Sequence, residues 1–264
     1  MRQNVARIGR IFILMIFLLS LPACGTGGGG TGGSPPPSTS FSAPAGTNST
    51  PTSFGKIAID SKNDVWVTTN TGLMEIPAGA TSCATTTDCP LFSLRFSPTG
   101  IAVDSKNNVW VTNDTSPGSV TEIPYGSTTY SCSNCTTFSG FSDPVAVTTT
   151  GTYPWVANSG TGSSYSPGVV EIVSSCPSGG CPSITHFTQP VGLAYDTSRN
   201  LWVIDAGNST TAEITSSAIA SATCSSSTPC YQYSLNAIPE GVATDSLGNV
   251  WISLKNAQVI EYKP

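Results

Sequence analysis

Histidine is nearly missing from this chain, with one residue, His186, among 264. A single imidazole in "SITHFTQ" reads as a surface or packing residue rather than a catalyst. Charge is also scarce, at 9% of residues. With Arg2, Arg7 and Arg10 set aside as part of a leader, seven basic residues face fifteen acidic ones, a net charge of −8. So thinly charged an acidic body lacks the basic surface that phosphate backbones require, which excludes nucleic acid as a partner. The chain holds no GxSxG, no Walker loop and no HExxH, so no catalytic residue is assigned. After residue 54 no apolar period long enough for a core helix occurs.

The one extended hydrophobic run, "IFILMIFLLSLPA" at 11–23, is thirteen residues long and too short for a comfortable transmembrane helix. Behind three arginines it reads as a secretory signal, residues 1–23. The following "LPAC" resembles the lipobox of bacterial lipoproteins, with Cys24 as the residue to be acylated and Pro22 an unusual occupant of the middle position. Residues 24–39 are almost wholly Gly, Pro, Ser and Thr and cannot bury enough apolar surface to offset the entropy of ordering, so they read as a tether. The expected location is therefore outside the cytoplasmic membrane, on the outer membrane, its periplasmic face or the cell surface, with a lipid anchor holding a body formed by residues 40–264.

What the body does have is repetition. "DSKNDVWVTT" at 60–69 returns as "DSKNNVWVTN" at 104–113, and all five tryptophans fall in the same register: Trp66, Trp110, Trp155, Trp202 and Trp251. Four of them follow an aspartate by six residues, namely Asp60, Asp104, Asp196 and Asp245, while the third repeat has Thr150 with one residue fewer. Downstream of each Trp stands a glutamate in an apolar frame: Glu75, Glu122, Glu171, Glu213 and Glu261. Within a repeat, "GIAVD", "VWVTN" and "VTEIP" read as strands a, b and c, and stretches such as "LFSLRFS" (91–97) and "SITHFT" (183–188) as strand d. Four short strands recurring at this period specify an all-β fold, a β-propeller of five four-stranded blades, with six as the alternative. Because the last repeat stops at strand c, part of the segment 40–54 is expected to complete its sheet and close the ring.

The cysteines support this layout. Cys83 and Cys89, Cys132 and Cys135, Cys176 and Cys181, and Cys224 and Cys230 form four local pairs, each between strands c and d of a different repeat. Local disulfides, about 2 kcal/mol apiece by chain entropy, are the simple reading and imply an oxidising compartment. "CSNC" at 132–135 also has redox or zinc spacing, although zinc would need a second pair.

The unit clearest in "PEGVATDSLGNVWIS" (239–253), followed by "VTEI" or "VIEY", resembles the repeats of the streptogramin (virginiamycin B) lyases, and more loosely NHL repeats. The resemblance spans residues 54–264 and implies the propeller. In that family activity is linked to histidines, a glutamate and a divalent metal at one channel mouth. This sequence departs there: the residue between Pro and Gly is Thr99, Val191 or Glu240, and the third residue after Trp is Thr69, Asn113, Asn158, Asp205 or Leu254.

A binding mouth remains as the expectation. Asn113, Asn158 and Asp205 would ring one end of the channel, with Glu240, Asp114 and Asn208 nearby. Their oxygens suit Ca²⁺, Mg²⁺ or a polar ligand, although Asn and Asp at such places also bond their own turns. No cofactor is required. The expected function is a monomeric envelope module that binds or scaffolds a protein or glycan; the alternative is a metal-dependent lyase or lactonase with its site at the channel mouth.

Overall fold

In the computed structural model the described residues are 38–44, 51–94, 96–115, 117–127, 134–151, 153–160, 166–173, 181–224 and 230–263. Cys24, the leader and nearly all of the tether lie outside them. The described strands form five antiparallel sheets in chain order. Blade 1 is β1 (Phe54–Ile59), β2 (Val65–Thr69), β3 (Gly72–Ile76) and β4 (Leu91–Ser93). Blade 2 is β5 (Gly100–Val103), β6 (Val109–Asn113), β7 (Gly118–Ile123) and β8 (Thr136–Phe141). Blade 3 is β9 (Pro144–Thr148), β10 (Trp155–Asn158), β11 (Gly168–Glu171) and β12 (Ser183–Ile184). Blade 4 is β13 (Pro190–Tyr195), β14 (Leu201–Asp205), β15 (Thr210–Ile214) and β16 (Cys230–Ser234), with the helix α1 (Ser216–Ser221) between its last two strands. Blade 5 has three described strands, β17 (Pro239–Thr244), β18 (Val250–Leu254) and β19 (Gln258–Tyr262).

One carboxylate explains the six-residue spacing of Asp and Trp. Asp104 Oδ1 accepts the backbone amides of Lys106 (2.8 Å) and Asn108 (2.9 Å), which shapes the turn between β5 and β6. Its Oδ2 accepts the Trp110 indole N–H at 3.1 Å, so the turn and the buried ring are held by one side chain. Asp60, Asp196 and Asp245 bond Trp66, Trp202 and Trp251 in the same way. The turns also need a left-handed residue, supplied by Asn63, Asn107, Arg199 and Gly248.

The repeated glutamate is the cross-strand partner of the Trp in every blade, from Trp66 and Glu75 to Trp251 and Glu261. In blades 2 and 4 an asparagine amide joins the two acids: Asn108 Nδ2 donates to Asp104 and Glu122, and Asn200 Nδ2 to Asp196 and Glu213. This network accounts for the repetition of glutamate without five active sites.

Each blade has a forward face that carries its Trp, and in blades 2 to 5 a rear face receives the Trp of the blade before. Trp66, Leu73 and Phe92 of blade 1 pack on Val109, Val111 and Ile123 of blade 2. Trp110 and Val120 meet Val147, Val156 and Val170; Trp155 and Val169 meet Leu201, Val203 and Ile214; Trp202 and Ile204 meet Val250, Ile252 and Leu254. Strands covered on both faces explain why "VWV" runs apolar without alternation.

The segment expected to complete the fifth sheet includes residues 45–50, which lie outside the described residues. Among the described residues no strand pairing joins the 40–54 segment to β19. Instead Phe41 and Ala43 lie on the rear face of blade 1, against Met74, Leu91 and the Cys83–Cys89 disulfide. Thr52 and Ser53 donate their amides to Asn70 Oδ1 in the turn between β2 and β3. Phe41 and Ala43 thus find burial on the first blade, and the backbone of Thr52 and Ser53 finds its partner there.

In blades 1 and 3 strand d is shorter than the sequence suggests. β4 ends at Ser93 and β12 at Ile184, which leaves His186 exposed beyond the strand that was expected to contain it. Helix α1 was not foreseen; its Thr215 hydroxyl caps the Ala218 amide, and Ala218 is buried in the seam between blades 3 and 4. The disulfides Cys83–Cys89 and Cys224–Cys230 form as expected. Cys135 and Cys181 are also disulfide-bonded, while Cys132 and Cys176 lie outside the described residues.

Candidate functional site

Asn113, Asn158 and Asp205 are the last residues of β6, β10 and β14, so three successive blades bring them to the same end of their b strands. All three are buried, and each has donors or acceptors within reach. Asn113 Oδ1 accepts the Thr115 amide and its Nδ2 donates to Ser119 Oγ at 3.2 Å, which shapes the turn from β6 to β7. Asn158 Oδ1 accepts the Ser142 amide at 2.9 Å and Nδ2 donates to the Ser166 carbonyl. Asp205 is the most heavily bonded: its oxygens accept the amides of Thr188 (2.9 Å), Gln189 (2.7 Å) and Gly207 (3.1 Å), and the Asn208 side chain at 3.2 Å. Asn158 and Asp205 therefore clamp the chain entering strand a of their own blade to the end of strand b.

Glu240 sits exposed on β17, outside this bonded layer. Near the second and third blades, burial and then the charge of Asp114 push the Asp143 carboxyl above its ordinary range. Among the described residues no group of three or more His, Cys, Asp or Glu is placed to hold a metal ion. His186 lines a small cleft of about 310 Å³ beside Phe187, Tyr231 and the Cys224–Cys230 disulfide.

A larger cleft, about 540 Å³, opens between blades 1 and 2 at the end of the sheets where strands a and b turn. Its walls include Lys62, Asp64, Trp66, Glu75, Phe92 and Tyr125. Trp66 and Phe92 meet at 5.4 Å between ring centroids, and Lys62 donates to the Tyr125 hydroxyl while its ammonium stands 4.5 Å from that ring's centroid. The sequence carried a signal for this site that composition alone does not reveal. Asp64 in "DSKNDVW" occupies the place of Asn108 in "DSKNNVW".

Asp64 keeps one duty of that asparagine, accepting the Ala78 amide at 2.7 Å as Asn108 accepts the Tyr125 amide. It cannot supply the side-chain N–H that joins the two acids in blades 2 and 4. Burial first, then the charges of Asp64 and Asp60, push Glu75 up to about 6, with Lys62 pulling the other way. A carboxyl raised above its unfolded value binds a proton more readily in the folded chain. Its ionisation therefore weakens the fold as pH rises from about 4.5 to about 6, and the deficit persists above that window. Thermal midpoints measured against pH should show the wild-type chain losing ground to Glu75→Gln across this window and running parallel to it above. Asp64→Asn should restore the missing amide, bring Glu75 down and raise stability at neutral pH by about 1 kcal/mol. A pH-independent difference between wild type and Glu75→Gln would remove the assigned cause.

No family model and no curated protein matches the sequence. Solved structures do match its fold. Virginiamycin B lyase from Staphylococcus aureus aligns with a TM-score of 0.54 at 16% identity, over 79% of this chain and 69% of the lyase. Kuenenia stuttgartiensis hydrazine synthase aligns at 0.62 and 13%, over 79% and 70% of the two chains. The PQQ-bound aldose sugar dehydrogenase of Streptomyces coelicolor aligns at 0.52 and 15%, over 84% and 79%. These identities carry the architecture and no activity. The chain thus has the β-propeller fold that streptogramin lyases share with enzymes of quite different chemistry.

Proposed function

We propose that this chain is a recognition module of the cell envelope, held outside the cytoplasmic membrane by an acylated Cys24 on the 24–39 tether and binding an envelope protein or glycan. The observation that carries the reading is the cleft between blades 1 and 2. It combines aromatic walls at Trp66, Phe92 and Tyr125 with polar ends at Lys62, Asp64 and Glu75. An apolar body with a few convergent polar groups suits amphipathic ligands such as sugar rings and peptide side chains. The side chains at the opposite end of the b strands spend their polar atoms on the loops.

The test is calorimetric binding of the full chain to a panel of envelope glycans and peptides. Binding that is lost in Tyr125→Ala and changed in Glu75→Gln supports the module. Turnover of a streptogramin or a lactone in the presence of Ca²⁺ or Mg²⁺, abolished by Asn113→Ala with Asp205→Ala, would replace it with the enzyme reading. That second reading draws on the structural neighbours, which include streptogramin B lyase and a gluconolactonase-like protein, and on the carboxylates of Asp114, Asp143 and Asp205 near the strand b ends.

A further inference from the structure

Among the described residues four seams join the five blades, and the faces at the two ends of the series have no neighbouring blade. Trp251 is 39% exposed, whereas its four counterparts are buried in seams. Val259 stands opposite Ser253 on the forward face of blade 5, as Leu73, Val120 and Val169 stand on theirs. Those three are fully buried and Val259 is 64% exposed. The rear face of blade 1 is open in the complementary way. Ile57 and Ile59 pair with Val67 and Val65, as Ile101 and Val103 pair with Val111 and Val109 in blade 2. Ile101 and Val103 pack into the first seam, but Ile57 and Ile59 are 64% and 62% exposed.

We propose that these two faces dock head to tail between copies of this chain, the forward face of blade 5 in one copy seating on the inner part of the blade 1 rear face in another. Such docking differs from the monomer expected from sequence. Three observations choose a second copy as the occupant. First, the two faces carry the same residue types that meet in each internal seam, so the contact continues an interface the chain already makes four times. Second, no buried cluster among the described residues joins blade 5 to blade 1 within one chain. Drawing them together would require re-tilting four close-packed seams, and such interiors yield reluctantly.

Third, the shapes agree. The three described strands of blade 5 are its inner ones, and they match the inner part of a facing sheet. The outer part of the blade 1 rear face is already covered by Phe41 and Ala43. A partner's blade 5 would therefore meet Ile57, Ile59 and Val65 without displacing that segment. The contact is heterologous, so it makes a ring where the rotation closes and a chain of copies where it does not.

Sedimentation velocity of the full chain as a function of concentration tests this. The expected result is a mass of two or more copies that falls to one copy in Val259→Glu and in Ile57→Glu. Each variant has lost one face and kept the other, so an equimolar mixture should recover a two-copy species through the pair of intact faces. Both positions are exposed, and unchanged near-ultraviolet circular dichroism verifies the fold; Trp251→Gln serves as a second forward-face variant. A monomer at every concentration, association that survives either substitution, or no recovery on mixing would overturn the proposal.

Discussion

Trp155→Ala is expected to destabilise the chain by about 3–5 kcal/mol, and Trp251→Ala by about 1 kcal/mol. The two residues are equivalent in the repeat, with the same glutamate opposite. Their surroundings are not equivalent. Trp155 is 1% exposed and fills the third seam against Leu201, Val203 and Ile214, so its removal leaves a cavity between two sheets that can only partly collapse. Trp251 is 39% exposed on the forward face of blade 5, and what it loses is a partial contact and the bond to Asp245. Urea midpoints at constant slope would measure both. The comparison has a second use, because docking of another copy would bury Trp251. The cost of Trp251→Ala should then grow with protein concentration while that of Trp155→Ala stays fixed. Equal losses at all concentrations would mean that the fifth blade is covered within one chain.

The repeat was legible because each blade meets its neighbour through the same few residues. The Trp register, the aspartate six residues before it and the glutamate of strand c located three strands in every blade and the order of the sheets. The local cysteine pairs gave the disulfides at Cys83–Cys89 and Cys224–Cys230. What a repeat pattern does not record is its own ends. "VWIS" at 250–253 reads like a buried strand because its residues are those of a seam, and only the structure shows Trp251 39% exposed. The same limit applies to the segment before blade 1. Phe41 and Ala43 have no periodicity, and whether they extend a ladder or cover a face depends on which surface is bare. Asp64 was legible in principle, since it is one letter's difference between two near-identical decamers. Its consequence was not, because the amide that it removes acts on Glu75, eleven residues away in sequence and on the adjacent strand.

Asp205→Ala should cost about 3–5 kcal/mol, since it removes a charged acceptor and orphans several donors around one buried point. The carboxylate is wholly buried and takes the amides of Thr188, Gln189 and Gly207 together with the Asn208 side chain. In sequence an aspartate at the end of strand b is an oxygen donor set toward a channel, and the residue type alone fits a cation as well as it fits a loop. The partners decide between the two, and backbone amides leave no trace in the sequence. Asp205→Asn should recover part of the loss, because one oxygen still accepts while the new N–H₂ faces other donors. Thermal midpoints taken in chelator and in Ca²⁺ separate the two roles. A carboxylate that organises the loop gives the same loss in both. A wild-type midpoint that rises with Ca²⁺, and a rise that vanishes in Asp205→Ala, would assign the residue to a metal instead. That outcome would turn the strand b ends of blades 2 to 4 into the binding mouth that Asn113, Asn158 and Asp205 first suggested, and with it revive the enzyme reading.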